Sequence, residues 1–151
     1  MSWLATNYNA DVYGVDISDK LAGKLKQNFP ELAEKVQVCN AKDLSIFEDN
    51  TFDLVQHCDG MEHIPMEWEV DCLKEAVRTT KRYVFYETAT GNATADAWAR
   101  GRGYTYDAAH INIKSADQWQ AFYEAHAADL GYDIRETHYA AGTFATILEK
   151  R

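Results

Sequence analysis

The sequence predicts an α/β fold with a mostly parallel sheet, helices on both faces and a C-terminal antiparallel hairpin. Short apolar runs alternate with amphipathic segments from Val12 to Glu87. Strands that alternate with helices need crossover connections, and these make neighbouring strands parallel. The last two apolar runs, Ile134–Tyr139 and Phe144–Leu148, are joined by a very short link. Such a link is typical of an antiparallel hairpin.

Four apolar runs predict the parallel strands, and the first of them ends in an acidic residue. The runs are Val12–Val15, Val36–Cys39, Phe52–His57 and Tyr83–Glu87. Ligands of such sheets bind beyond the carboxyl ends of the strands. Asp16 lies at that point of the first run, where a carboxylate can chelate the two hydroxyls of a ribose. No glycine stands between Met1 and Ala10, so we expect a fold that is incomplete at its N-terminus.

The helices are predicted from their caps and from apolar residues at helical spacing. Ser2–Tyr8 is predicted as the end of a helix and Ala93–Arg100 as a short helix. The boundary signals are a cap at Ser18, a first-turn proline at Pro65, a capping box of Ser115 with Gln118, and a closing glycine at Gly131.

Composition limits the classes of partner. A chain of 151 residues fits a single domain spanning the whole sequence. Its net charge of −9 argues against nucleic acid as a partner, because basic surfaces supply most affinity for phosphate backbones. The cysteines are odd in number and lack metal spacing, which favours a reducing compartment. With no signal peptide and no apolar run long enough to cross a membrane, we expect a cytoplasmic protein without a membrane partner.

Three segments, taken together in this order, resemble class I S-adenosylmethionine-dependent methyltransferases of the small-molecule type. They are Val12–Ser18, then Cys39–Leu44 followed by Phe52–Val55, and then Met61–Pro65 followed by Leu73–Arg78. The resemblance runs from about Ala10 to the C-terminus. It implies a Rossmann-like fold, S-adenosylmethionine as cofactor, and methyl transfer to a small-molecule acceptor. The family's first strand and its Gly-rich turn, which holds the methionine portion of the cofactor, have no counterpart here.

The resemblance also implies cofactor-binding residues. Asp16 would accept hydrogen bonds from the ribose hydroxyls, and Ile17 would pack on the adenine. Asn40 stands where the family usually has an Asp, and its amide oxygen can still accept a bond from the adenine amino group. Ala41 would offer its backbone amide to the ring. The last members of the set, expected near the methionine end of the cofactor, are His57 and Cys58.

The candidates for a catalytic base are His57, Glu87 and His110, if the acceptor must lose a proton. For His57 and Glu87, structural hydrogen bonding is the competing interpretation. We predict no metal site. The spacing of the possible metal ligands fits no compact zinc pattern. These possible ligands are His57, Cys58, Asp59 and His63.

Other interpretations stay open at this point. A non-catalytic interaction or assembly module of the same ancestry is the main alternative. A different nucleotide-ribose binder is a third, weakened by the lack of a Gly-rich phosphate cradle. Without the family's first strand, the strands after Ala10 and Thr51 each lack a neighbour. They are expected to pair with each other or to be covered by another chain, which predicts a homo-oligomer.

Overall fold

A computed structural model describes residues 2–91, 110–140 and 142–151. The helices are α1 (Ser2–Tyr8), α2 (Asp19–Asn28), α3 (Glu69–Thr79) and α4 (Ala116–Leu130), and the strands are β1 (Gly14–Asp16), β2 (Val36–Val38), β3 (Phe52–Cys58), β4 (Thr80–Ala89), β5 (Tyr132–Ala140) and β6 (Thr143–Lys150). Short 3-10 helices span Pro30–Lys35, Met61–His63 and Met66–Trp68. The predicted helix Ala93–Arg100 lies outside the described residues. The chain forms two compact units, Met1–Ser45 and Ile46–Arg151.

In the first unit, β1 and β2 pair in parallel, with Gly14 opposite Val36 and Asp16 opposite Val38. The predicted cap of α2 is confirmed, because the Ser18 side chain accepts a hydrogen bond from the Leu21 amide at 3.3 Å. Asp16 is the last residue of β1, where the sequence placed it directly after the strand. The carboxylate therefore lies at the carboxyl end of a parallel strand, as expected.

In the second unit, a four-stranded sheet has the order β3-β4-β6-β5. β3 and β4 are parallel, whereas β6 runs antiparallel to both β4 and β5. The α/β class, the parallel pairing and the terminal antiparallel hairpin are thus confirmed. Helix α4 packs through Tyr123, whose ring lies 5.0 Å from Tyr86 of β4 and 6.0 Å from Phe144 of β6. All three side chains are buried, so they fix α4 against this sheet.

The helix boundaries in the second unit follow the predicted caps, with one difference. Ser115 and Gln118 form the reciprocal capping box, and Gly131 ends α4 with a left-handed φ of 70°. Pro65 was expected as the first helical residue, but α3 begins only at Glu69. Pro65 has an extended ψ of 137° and precedes a separate 3-10 turn, in which its carbonyl accepts from the Trp68 amide at 2.9 Å.

Each strand whose neighbour was in question pairs with a strand of its own unit. Within the described ranges, β1 has β2 as its one strand neighbour, and β3 has β4. Cover by a second copy of the chain stays a prediction. In the part of the chain that the structure describes, no helix has the length and apolar character needed to span a membrane.

Candidate functional site

Asp16 presents a fixed carboxylate at the end of β1. The Cys39 amide donates to the Asp16 carbonyl at 3.0 Å, which continues the β1–β2 pairing by one bond. The Ser18 amide donates to Asp16 Oδ1 at 2.7 Å. Among the described residues, Oδ2 has no hydrogen-bond donor. The side chain is therefore oriented by one oxygen and offers the other as an acceptor.

The residues expected to surround an adenine lie next to Asp16 in the same unit. Ile17 is 65% exposed, so its side chain offers an apolar surface. Asn40 follows β2 and is held in a turn, because its Oδ1 accepts from the Lys42 amide at 3.1 Å and its carbonyl accepts from the Asp43 amide at 2.9 Å. An amide oxygen can accept a second bond. Among the described residues, the Ala41 amide donates to no protein acceptor.

In the second unit, the His57 ring at the end of β3 packs closely against its surroundings. It makes an edge contact with Tyr86, with ring centroids 5.6 Å apart. A Cβ atom on Gly60 would lie only 2.8 Å from His57 Cε1. Nδ1 is buried and has no hydrogen-bond partner among the described residues. Burial lowers the pKa of His57 to about 4, so the ring is neutral at pH 7 and a weak base.

Cys58 and Glu87 are opposite each other in the β3–β4 register. The thiol is exposed and accepts from Gln56 Nε2 at 2.9 Å. Desolvation raises the pKa of the Cys58 thiol, and the charges of Glu87 and Asp59 raise it further. The thiol therefore stays protonated at pH 7 and can serve as a contact, whereas a thiolate nucleophile is disfavoured.

His110 lies beside two residues of the Met61–His63 turn. Its ring centroid is 4.7 Å from that of His63, and one ligand atom from each of Glu62, His63 and His110 lies within 4.8 Å of the others. Glu62 is 1% exposed. Its Oε1 accepts from the Ala89 amide at 3.2 Å, whereas Oε2 has no partner among the described residues. Burial raises the pKa of the Glu62 carboxyl.

Sequence reasoning did not select Glu62 as a site residue. Its neighbours in the sequence, Met61 and Ile64, give a weak hint, because a carboxylate between apolar residues is a candidate for burial. His110, which lies beside Glu62 in the structure, is distant from it in the sequence. The spacing of neighbouring residues therefore does not predict this cluster. The candidate metal group in the sequence combined His63 with Cys58 and other near neighbours, and the structure groups His63 with different residues.

The predicted site residues thus form three sets, each within one unit. Asp16, Ile17, Asn40 and Ala41 lie at the carboxyl ends of β1 and β2. Cys58 and Glu87 lie together where β3 meets β4, with His57 preceding Cys58. His110 joins Glu62 and His63. The roles of the individual residues, including His57 and Cys58 at the methionine end of a cofactor, stay predictions.

The Asp16 carboxylate, the exposed Ile17 side chain and the Asn40 amide lie at or just after the carboxyl ends of β1 and β2, where ligands of α/β sheets of this class bind. The sequence model for the family described as "Methyltransferase domain" matches residues 1–84, more than half of the chain. The chain belongs to this family, and S-adenosylmethionine is the family's cofactor.

Solved structures share the fold. The PH0226 protein from Pyrococcus horikoshii OT3 is 20% identical, with a TM-score of 0.74 over 99% of this chain and 76% of that one. A SAM-dependent methyltransferase from Archaeoglobus fulgidus is 15% identical, with a TM-score of 0.74 over 99% of this chain and 80% of that one. Magnesium protoporphyrin IX methyltransferase from Synechocystis PCC 6803, with bound SAH, is 18% identical, with a TM-score of 0.65 over 93% of this chain and 64% of that one. No curated protein matches the sequence.

Proposed function

We propose that this chain binds S-adenosylmethionine and takes part in methyl transfer to a small-molecule acceptor. The observation that carries the proposal is the arrangement of Asp16, Ile17, Asn40 and Ala41 at the ends of β1 and β2, in a chain of the methyltransferase family. A small-molecule acceptor is favoured over nucleic acid because the net charge of −9 opposes binding to a phosphate backbone.

The bound cofactor supplies an activated methyl group on a sulfonium. Asp16 Oδ2 accepts hydrogen bonds from the ribose hydroxyls, while Ser18 holds Oδ1 in place. Ile17 covers one face of the adenine, and burying its exposed side chain favours binding through the hydrophobic effect. The Asn40 oxygen and the Ala41 amide recognise the edge of the ring. Each of these groups thus recognises a different part of adenosine.

The chain must also orient the acceptor and, for an acceptor that loses a proton, hold a base close to it. A base is most effective with a pKa near the working pH. His57, with a pKa of about 4, is therefore poorly matched to the work of a base at neutral pH. We assign the base to Glu87 or His110, and we assign His57 to packing at the end of β3.

Calorimetry with S-adenosylhomocysteine tests the cofactor site. We expect micromolar or tighter binding to the wild type. Asp16→Asn keeps the acceptor for the Ser18 amide but removes the charge. Losing charge-assisted bonds of about 1.5–3 kcal/mol to the ribose weakens binding by roughly 10- to 100-fold.

The matched control is Asp53→Asn, which removes the same charge from a side chain that is 92% exposed in the second unit. This variant should bind like the wild type. No heat from any of the three proteins, or equal losses in both variants, would contradict the proposed site. If the chain binds the cofactor but forms no S-adenosylhomocysteine from S-adenosylmethionine with oxygen, nitrogen or carbon acceptors, a non-catalytic module is favoured instead.

A further inference from the structure

Glu62, His63 and His110 bring two imidazoles and one carboxylate to one place in the second unit. Their ligand atoms all lie within 4.8 Å of one another. Nitrogen and oxygen donors around a Zn²⁺ ion lie about 2.0–2.2 Å from the metal, which puts them roughly 3.3 Å apart in a tetrahedral site. The three ligand atoms, two of them on half-buried histidines, therefore need to approach one another by only about 1.5 Å to surround an ion.

The state of Glu62 is a separate observation that favours a cation. The residue is 1% exposed, and Oε1 already accepts from the Ala89 amide. Oε2 is buried without a hydrogen-bond partner among the described residues. Leaving such a group unsatisfied costs about 1–3 kcal/mol.

The backbone holds the two parts of the cluster together. The amides of Ile111 and Asn112, directly after His110, both donate to the Glu62 carbonyl, at 2.9 and 3.0 Å. The buried Asn112 side chain donates to the Met61 carbonyl at 3.3 Å. Because these bonds fix the segment after His110 to the turn that carries Glu62 and His63, the three donors are positioned before any ion arrives.

The donor set indicates the kind of ion. Imidazole nitrogen suits Zn²⁺ and other first-row transition metals, whereas Mg²⁺ and Ca²⁺ prefer oxygen ligands throughout. Three protein ligands also leave at least one coordination position open, as in catalytic zinc sites. We propose that Glu62, His63 and His110 form a binding site for a divalent transition metal ion such as Zn²⁺, with an open position for water or an oxygen ligand. This inference does not depend on methyl transfer, and because a His110 imidazole bound to an ion cannot also act as the base, an occupied site would leave Glu87 as the base.

The test is a titration of the metal-free chain with Zn²⁺, followed by calorimetry, and with Co²⁺, followed by absorption. We expect one ion per chain. Glu62→Gln, which keeps the acceptor for Ala89, and His110→Ala should each weaken binding at least tenfold, since even changes behind a ligand cost 10- to 100-fold. His138→Ala removes an exposed histidine paired with Glu136 and should leave the affinity unchanged.

Thermal melting in the presence of a chelator shows whether each variant folds. If Glu62→Gln does not fold, His110→Ala is sufficient to test the site. Zn²⁺ should raise the melting temperature of the wild type and not that of His110→Ala. Three results would each overturn the proposal: no saturable binding, wild-type affinity in both cluster variants, or a loss confined to His138→Ala. A thiolate-to-cobalt absorption band would do the same, because it would assign the ion to a cysteine.

Discussion

Replacing Gly60 by Ala is expected to destabilise the protein because the added methyl group would clash with the His57 ring. The new Cβ atom would lie 2.8 Å from His57 Cε1 and 2.9 Å from Nε2, whereas ordinary contact begins at 3.4 Å. The ring must therefore move by about 0.6 Å, which is 3.4 minus 2.8. The ring also contacts Tyr86, which is itself buried against Tyr123. Overpacking of this kind costs about 1–3 kcal/mol.

The backbone at Gly60 adds no strain to this estimate, since its φ of −129° is open to any residue. Gly→Ala at a compatible position stabilises by about 0.4–1 kcal/mol through the unfolded chain. The net change in the free energy of unfolding should thus be a loss of roughly 1–2 kcal/mol. In a His57→Ala background the clash is gone, and Gly60→Ala should then be neutral or stabilising.

Urea unfolding at pH 7 of the wild type, both single variants and the double variant measures this coupling. We expect an interaction free energy of about 1–3 kcal/mol between the two positions. If Gly60→Ala changes the free energy of unfolding by the same amount in both backgrounds, the His57 ring does not pack closely against Gly60.

Three further changes test the other structural claims. His57 has a pKa of about 4 in the folded protein and about 6.5 in the unfolded chain. The stability that the neutral ring contributes to the fold is therefore fully present above pH 6.5 and is lost as the pH falls toward 4. Between pH 7 and pH 5, the free energy of unfolding measured with urea should fall by about 2 kcal/mol more in the wild type than in His57→Gln. Ser115→Ala removes the cap bond to the Gln118 amide and should cost about 1 kcal/mol, a shift of roughly 2–4 °C in thermal melting that Ser115→Thr mostly restores. Asn40→Asp introduces a charged acceptor and should strengthen binding of S-adenosylhomocysteine several-fold in calorimetry; weaker binding would contradict the assigned contact.

Local signals predicted much of the fold. The capping box of Ser115 with Gln118 and the left-handed Gly131 depend on neighbouring residues, so the sequence is enough to show them. The antiparallel β5–β6 hairpin follows from the short link between its strands. Asp16 was recognised because a carboxylate at the end of an apolar strand is a local pattern with a known structural consequence.

Features that depend on distant residues were missed. The low pKa of His57 comes from burial beside Gly60 and Tyr86, and Tyr86 lies on another strand. The burial of Glu62 requires the segment after His110 to fold back onto its turn. The start of α3 at Glu69 reflects a separate 3-10 turn after Pro65, which a proline signal does not distinguish from a first helical turn.

Amide chemical shifts measured while S-adenosylhomocysteine is added test the central claim most directly, because they report where the ligand binds. We predict that the largest changes fall on the amides of Ile17, Ser18 and Ala41, with a downfield shift at Ala41 as its N–H begins to donate to the adenine. Asp16→Asn should shift the same amides only at much higher ligand concentration. Saturation of the protein without changes at these amides would contradict the proposed adenosine site.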